Sequence, residues 1–338
     1  MSQTFRKNQR LDDFLIRPAK LEDAESVNEL LNLCSMEVVG KKLFSVNDLL
    51  VSWQSPDFQL RTSSRLVLSP EGRLVGCCLI NDTIEPYVRI NLRVQVHPDF
   101  RDNGIGESLL QWGEHRAKQA LNRAPSGAQV FITVGLFQND FYHQQLVEKF
   151  GMQAVRHFFH MEIEFDRPPE KPEIPKGIVI RPYDEQTELE ALAIAFLDSF
   201  QDHYGFANRT AEKMLENVRY EIANDPKYTP EMWFVAVDGD QIAGFSICVP
   251  KTPEDPGMGY VNVLGVRRPW RKRGLGMALL RHSFVEFYKN GCKRAGLDVD
   301  SSSLTGATRL YEKGGMHIVR QMDMYKKVLR EGKDITNA

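Results

Sequence analysis

The sequence predicts an α/β (α+β) protein of two tandem domains, each a mixed, mostly antiparallel sheet flanked by helices. Three observations carry this expectation. The chain has 338 residues, more than one ordinary domain needs and enough for two. The run Arg271-Lys272-Arg273-Gly274-Leu275-Gly276 repeats the pattern of Arg101-Asp102-Asn103-Gly104-Ile105-Gly106, 170 positions earlier. Each run follows an apolar, β-branched stretch (Val261 to Val266; Ile90 to Val96) and opens a helical pattern.

The remaining elements pair off in the same way. Leu15-Ile16-Arg17-Pro18 begins the first half, and Val179-Ile180-Arg181-Pro182 begins the second. Helical patterns follow at Ala24 to Leu33 and at Leu189 to Phe200. The strands Leu74 to Ile80 and Gln241 to Ile247 each come after a turn (Pro70-Glu71-Gly72; Asp238-Gly239-Asp240). After the second glycine turn, Met277, Leu280, Phe284, Phe287 and Tyr288 form a stripe able to cover a sheet. Strands at Gln129 to Val134 and Arg294 to Val299 lead into short helices that end at Gly151 and Gly315. Gln153 to Phe165 and His317 to Val328 are then expected to close each sheet. Between the halves, Asp166 to Gly177 carries Pro168, Pro169, Pro172 and Pro175 and reads as a stiff linker. The expected domains are therefore 1–165 and 179–338, joined by 166–178.

Composition narrows the class. Hydrophobic content of 42% and charged content of 26% are those of a soluble globular protein. A net charge of −2 offers no general attraction to nucleic acid or anionic membranes. No apolar run approaches the roughly 20 residues that span a bilayer. Met1 to Arg10 is polar and lacks the apolar core of a signal peptide, so a cytoplasmic location is expected. Cys34, Cys77, Cys78, Cys248 and Cys292 have no C-x-x-C spacing, and their odd count argues against a disulfide framework. Cys77, Cys78 and Cys248 read as small buried apolar residues. No metal is expected, and the chain is expected to act as a monomer or dimer.

A strand feeding a glycine turn that starts a helix presents bare N–H groups and the positive end of a helix dipole, which together bind phosphate. Glycine lets the backbone approach closely, and arginine and lysine add charge. The dinucleotide fingerprint requires a third glycine where Leu279 and Leu109 stand, and the G-K-[ST] of a P-loop is absent from both copies. What remains is V-x-x-x-x-R-x-x-G-x-G, from Val266 and from Val96.

This pattern resembles that of the GCN5-related N-acetyltransferases, and the order of elements covers essentially the whole chain twice over. The resemblance implies a coenzyme A pyrophosphate held by Arg271, Lys272, Arg273, Gly274, Leu275, Gly276 and Met277, with strand backbone from Leu264, Gly265 and Val266. In the first copy it implies Val94, Val96, Arg101, Asp102, Asn103, Gly104, Ile105 and Gly106. Ser303 stands where many relatives carry an asparagine that contacts coenzyme A. Acetyl-coenzyme A is the implied donor and a small-molecule amine the implied acceptor.

The halves differ at one chemically decisive place. Thr305 to Met316 resembles the family's A-x-x-L-Y-x-x-x-G-[FM] helix, whose tyrosine, here Tyr311, protonates the departing thiolate. An isolated Leu-Tyr pair would read instead as the polar-tipped edge of an amphipathic helix; the surrounding motif favours the acid. Alignment on the Gly-Met end puts Val147 opposite Tyr311, and valine can donate nothing; Tyr142 lies five residues earlier. The first half therefore reads as a structural or regulatory copy.

On the acceptor side, Phe200-Gln201-Asp202-His203-Tyr204-Gly205 resembles a D-H-W-G stretch of the tandem mycothiol synthase group, with Tyr204 in place of tryptophan. Asp202, His203 and Tyr204 are thus expected to bind substrate. His203 could relay a proton, or interact with the helix end. The strand before the cradle has Tyr260 and Asn262 where a base glutamate is usual, leaving Glu254, Asp255, Asp298 and Asp300 as candidates. Three functions are compatible with these residues: an N-acyltransferase acting on a small amine, an acyl-coenzyme A sensor without turnover, and an acetyltransferase of protein lysines or N-termini.

Overall fold

The structure, a computed structural model, describes residues 11–336 except 202, 205, 207–209, 226, 253–254 and 304–305. The first repeat comprises β1 (Leu15–Arg17), α1 (Ala24–Val39), α2 (Val46–Trp53), β2 (Ser64–Leu68), β3 (Leu74–Asn81), β4 (Arg89–Val96), α3 (Ile105–Gln119), β5 (Val130–Phe137), α4 (Phe141–Lys149) and β6 (Gln153–Glu164). The second follows the same order: β7 (Ile178–Pro182), α5 (Leu189–Phe200), α6 (Ala211–Asn224), β8 (Trp233–Asp238), β9 (Gln241–Val249), β10 (Met258–Val266), α7 (Leu275–Lys289), β11 (Arg294–Asp300), α8 (Ala307–Lys313) and β12 (His317–Arg330). The duplication legible in the glycine turns therefore extends to every strand and α-helix. Sequence periodicity had pointed to neither α2 nor α6. Both begin at a side-chain cap, Ser45 accepting from the Asp48 N–H and Thr210 from the Lys213 N–H.

The two I-R-P motifs do the same work in each repeat. Arg17 donates to both carboxylate oxygens of Asp23 at 2.6 and 2.7 Å, and Arg181 to both of Glu188 at 2.8 and 2.6 Å. Each fork fixes the first strand against the start of the first helix. Each arginine also holds its carboxyl below the ordinary range, chiefly through these hydrogen bonds.

The compact units do not coincide with the expected domains. Among the described residues, one unit contains 11–155 with Asp323–Ile335, the other Arg156–Met322 with Thr336. The expectation that each repeat closes its own sheet is corrected here. From Arg156 onward β6 belongs to the second unit, where it pairs antiparallel with β11 from Phe158↔Asp300 to Glu164↔Arg294. Its Met161 and the following Phe165 are buried with Val261, Phe284 and Leu297 of that unit, so the apolar side chains of this segment have their core there. The Asp323–Arg330 end of β12 lies in the first unit, where Tyr325 is buried, donating to Glu148 at 3.2 Å. The 165–177 segment has no regular structure, and its Glu170 meets Arg281 at 2.6 Å.

In the first unit the strands run β1-β2-β3-β4-β5, completed by the end of β12; in the second they run β6-β11-β10-β9-β8-β7. Pairing is parallel at β4/β5 and β10/β11 and antiparallel at the other registered pairs. In the first unit α3 and α4 pack on one part of the core (Val96, Ile105, Leu110, Val147), while α1 and α2 bury Leu31, Leu49 and Trp53 against Cys77 and Leu79. In the second, Phe284, Phe287 and Tyr311 share a core with Val261 and Leu297, while Leu192 and Ala195 of α5 meet Phe245 of β9. All five cysteines are free and buried. Among the described residues no helix is long and apolar enough to cross a membrane.

Candidate active site

The site of the second repeat begins where two parallel strands part. β10 and β11 pair at Met258↔Arg294, Gly259↔Ala295 and Tyr260↔Gly296, and diverge beyond. On the opposite edge of β10 the register with β9 slips between Val261 and Val263, so Asn262 is bulged. The Arg267 N–H donates to the Ala243 carbonyl at 3.0 Å. Alternation along an antiparallel ladder then turns the N–H groups of Leu264 and Val266 away from β9, into the wedge between the strands.

The wedge leads to the start of α7. Gly274 is left-handed (φ 84°), as is Lys272 (φ 59°), and no side chain caps the helix. Its first-turn N–H groups therefore point outward as donors at the positive end of the dipole. Leu275 is buried and serves packing, whereas Lys272 and Arg273 are exposed. A Cβ on Gly276 would come within 3.1 Å of Leu310, so glycine is what allows α7 and α8 to meet so closely. These features fit a pyrophosphate held by backbone. The guanidinium of Arg271 donates to the carbonyls of Val266 at 3.1 Å and Ser199 at 2.8 Å, bracing the turn against β10 and α5.

Tyr311 on α8 is buried, and its hydroxyl has no hydrogen-bond partner among the described residues. Burial pushes its pKa up to about 12. It thus keeps its proton through the working range of any ordinary enzyme. Ser303 precedes α8 and lines a cavity of about 530 Å³ with Ser301, Thr308 and Arg309.

The first repeat is built alike but closed. β4 and β5 pair at Arg89↔Phe131, Ile90↔Ile132 and Asn91↔Thr133 and then part, yet β4 runs against β3 without a bulge from Gly76↔Val96 to Asn81↔Asn91. The Val96 N–H, counterpart of that of Val266, donates to His143 Nε2 at 3.2 Å. His143 Nδ1 in turn lies 2.8 Å from Asp140, and all of these groups are buried. Gly104 again is left-handed (φ 73°) and uncapped, but a Cβ on Gly106 would meet Leu146 at 2.6 Å and the Tyr142 hydroxyl at 3.0 Å. Because Leu146 faces Gly106 as Leu310 faces Gly276, the structure puts Val147 opposite Tyr311. Arg101 pairs with Glu37 at 2.8 Å and lies over the Tyr142 ring at 4.7 Å. Val94, Val96 and Ile105 are buried, Asp102 is exposed and Asn103 half-buried.

The acceptor-side residues divide. Asp202, Gly205 and Glu254 lie outside the described residues. The His203 ring packs on that of Phe200 at 4.4 Å, and Tyr204 stacks beneath the Arg156 guanidinium at 4.4 Å. Neither lines the cavity of about 410 Å³ between α5, α6 and strands β8 to β10. Among the candidate bases, Asp255 pairs with Arg294 and Asp300 with Arg156. Asp298 accepts from His160 Nδ1 at 2.8 Å; desolvation works to raise its pKa, but this bond and the His160 charge, with smaller help from Tyr260 and Arg320, outweigh it and leave the pKa lowered. Its side chain remains 61% exposed, two residues past the point where β10 and β11 part. Nothing in the sequence had singled out His160, which reaches this site on β6.

Comparison with known proteins agrees with this geometry. The description "Acetyltransferase (GNAT) family" matches residues 190–316, and "Acetyltransferase (GNAT) domain" matches 62–151. A GCN5-related N-acetyltransferase from Sphaerobacter thermophilus is 30% identical, with a TM-score of 0.80, over 98% of this chain and 100% of its own. A tandem GNAT protein from the clavulanic acid biosynthesis pathway shares the fold at 15% identity, with a TM-score of 0.68, over 95% of this chain and 100% of its own. The mycothiol acetyltransferase of Thermobispora bispora is 27% identical over 223 residues, 65% of this chain and 70% of that protein. The chain belongs to the GCN5-related N-acetyltransferase family as a tandem member, an enzyme whose acyl donor is acetyl-coenzyme A.

Proposed function

We propose that the second repeat acetylates the primary amine of a small molecule by direct attack, and that the first repeat is structural. The observation that carries this is the contrast at one backbone atom. The Val266 N–H faces an open wedge, whereas its counterpart at Val96 is taken by His143. The Asn262 bulge and Tyr311, neither matched in the first repeat, support the same assignment. When bound, acetyl-coenzyme A supplies an activated thioester. The start of α7 binds its phosphates, and the Leu264 and Val266 N–H groups are donors for the arm between the strands and for the carbonyl oxygen. Tyr311 holds a proton on its hydroxyl for the departing sulfur. Asp298, ionised and exposed, is a group to which the acceptor's ammonium can bind; the ammonium loses one proton to water to become the attacking amine, and the nitrogen loses a second to water as the adduct collapses to the amide and thiol.

The several relatives named mycothiol acetyltransferase support an amine-bearing small molecule as acceptor. Release of free thiol from acetyl-coenzyme A on addition of an amine panel tests the reading. A protein that binds acetyl-coenzyme A yet releases no thiol above the rate without amine is a binding protein instead.

A further inference from the structure

The two repeats differ in the space beneath their first pair of helices. In the first repeat it is solid: α2 buries Leu49 and Trp53 against Leu31, Phe58, Cys77 and Leu79. In the second, α6 occupies the same place in the order of elements, yet buries no residue. Its apolar stripe, Met214, Val218 and Ile222, follows the spacing of a helix that covers a core. The stripe faces instead the cavity of about 410 Å³, whose other walls include Leu192, Phe196, Trp233 and Ile247. An apolar hollow lowers stability by the contacts it forfeits, and one sequence here contains both the filled and the hollow version. The hollow lies in the repeat with Tyr311.

The position of the hollow points to its occupant. Asn262 and Val263 line it at the bulge, next to the Leu264 N–H of the wedge. A molecule held there has one end at the reacting carbonyl. The volume falls within the range of small-molecule sites, about 300–1,000 Å³. On the α6 side the lining includes two acidic residues, Glu221 and Asp225, and one basic residue, Lys227, with burial pushing the pKa of Glu221 up. A saturated acyl chain has nothing to offer a carboxylate, whereas an amine reaches the site as a cation.

Resting on the reading above, we propose that this cavity binds the acceptor, and that the acceptor is a primary amine with an apolar aryl or alkyl body rather than an amino sugar. Met214 and Val218 then set specificity, because methylene-sized changes in an apolar pocket discriminate about 10–200-fold.

The test compares 2-phenylethylamine with glucosamine by free-thiol release, in the wild type and in Met214→Trp and Val218→Asp proteins. We expect kcat/KM for 2-phenylethylamine at least tenfold above that for glucosamine. We expect each variant to raise KM for 2-phenylethylamine about tenfold or more while acetyl-coenzyme A affinity, measured by calorimetry, stays as in the wild type. Equal or better use of glucosamine, or an unchanged KM in both variants, overturns the proposal. So does a preference for octanoyl-coenzyme A over acetyl-coenzyme A that Met214→Trp abolishes, since the hollow would then hold the acyl chain. Calorimetric titration of 2-phenylethylamine separates this inference from the reaction. Binding lost in Val218→Asp, without thiol release in any protein, upholds the cavity and sinks the transferase reading. No binding to the wild type overturns the cavity assignment itself.

Discussion

The Nε2 atom of His143 accepts the N–H of Val96 at 3.2 Å, in the place where the second repeat leaves the N–H of Val266 facing an open wedge. With Asp140 fixing its other nitrogen, His143 fills a strand-end donor that an acyl donor would otherwise need. The first repeat thus satisfies internally the backbone group that, on the proposed function, the second offers to a ligand. His143→Ala strands the buried Val96 N–H and leaves Asp140 with only its backbone partner at 143, and an unmade buried hydrogen bond costs about 1–3 kcal/mol. Equilibrium unfolding should show a loss of that order, with turnover per folded molecule unchanged. A fall in kcat without loss of stability would assign His143 to the chemistry.

The two glycine turns should separate in the same way. Gly274→Glu places a side chain and a like charge at the start of α7, so acetyl-coenzyme A binding and turnover should both vanish. Gly104→Glu carries a similar left-handed penalty of roughly 1–2 kcal/mol but should leave turnover intact. Calorimetry alongside thiol release checks both, and lost turnover in a stably folded Gly104→Glu protein contradicts the division of labour.

Much of this was legible in the sequence. Glycine at Gly104 and Gly274 has one physical reason, a left-handed residue ahead of an uncapped helix, so the motif located both strand-turn-helix junctions directly. The Gly-Met ends aligned Val147 with Tyr311 because the same leucine, Leu146 or Leu310, packs against the cradle glycine in each repeat. Other features were hidden because they depend on partners distant in sequence. The partners of Arg101 and Arg271, Glu37 in one case and Ser199 in the other, could not be read from the motif. Which sheet β6 would join could not be read from its alternation, since either edge accepts the same pattern. Helix α6 was overlooked although Thr210 caps it and Met214, Val218 and Ile222 repeat every fourth residue.

The paired forks make a prediction about acid. Arg181 lowers the pKa of Glu188, so the pair stabilises above the unfolded carboxyl value, near 4.3, and loses its effect as pH falls through the lower folded value. Arg181 is partly exposed, which limits the contribution to about 0.5–1 kcal/mol. Urea titrations should show Arg181→Met less stable by that amount at pH 7, with the gap closing toward pH 3. A gap that is constant with pH would mean that packing, not charge, is what the substitution removes.

The segment exchange predicts that the halves do not part when the 166–177 segment is cut. Each compact unit contains strand residues from the other half of the chain, Arg156–Glu164 in one case and Asp323–Arg330 in the other. Fragments cleaved by a protease site engineered near Pro172 should therefore co-elute in native size exclusion and separate in denaturant. Two independently folded fragments in native buffer would contradict the exchange.

The central claim is that Tyr311 delivers the proton on which turnover in the second repeat depends. Its raised pKa, about 12, keeps the phenol protonated, so activity should not decline between pH 8 and 10 through loss of this proton. Tyr311→Phe keeps the ring and removes a hydroxyl that has no partner among the described residues, so the fold should be little changed. The most direct measurement is kcat of Tyr311→Phe by free-thiol release, with acetyl-coenzyme A affinity measured on the same protein. The predicted result is a fall of about 10²–10⁴-fold at unchanged affinity. Retention of more than about half the activity would show that water or another residue protonates the sulfur.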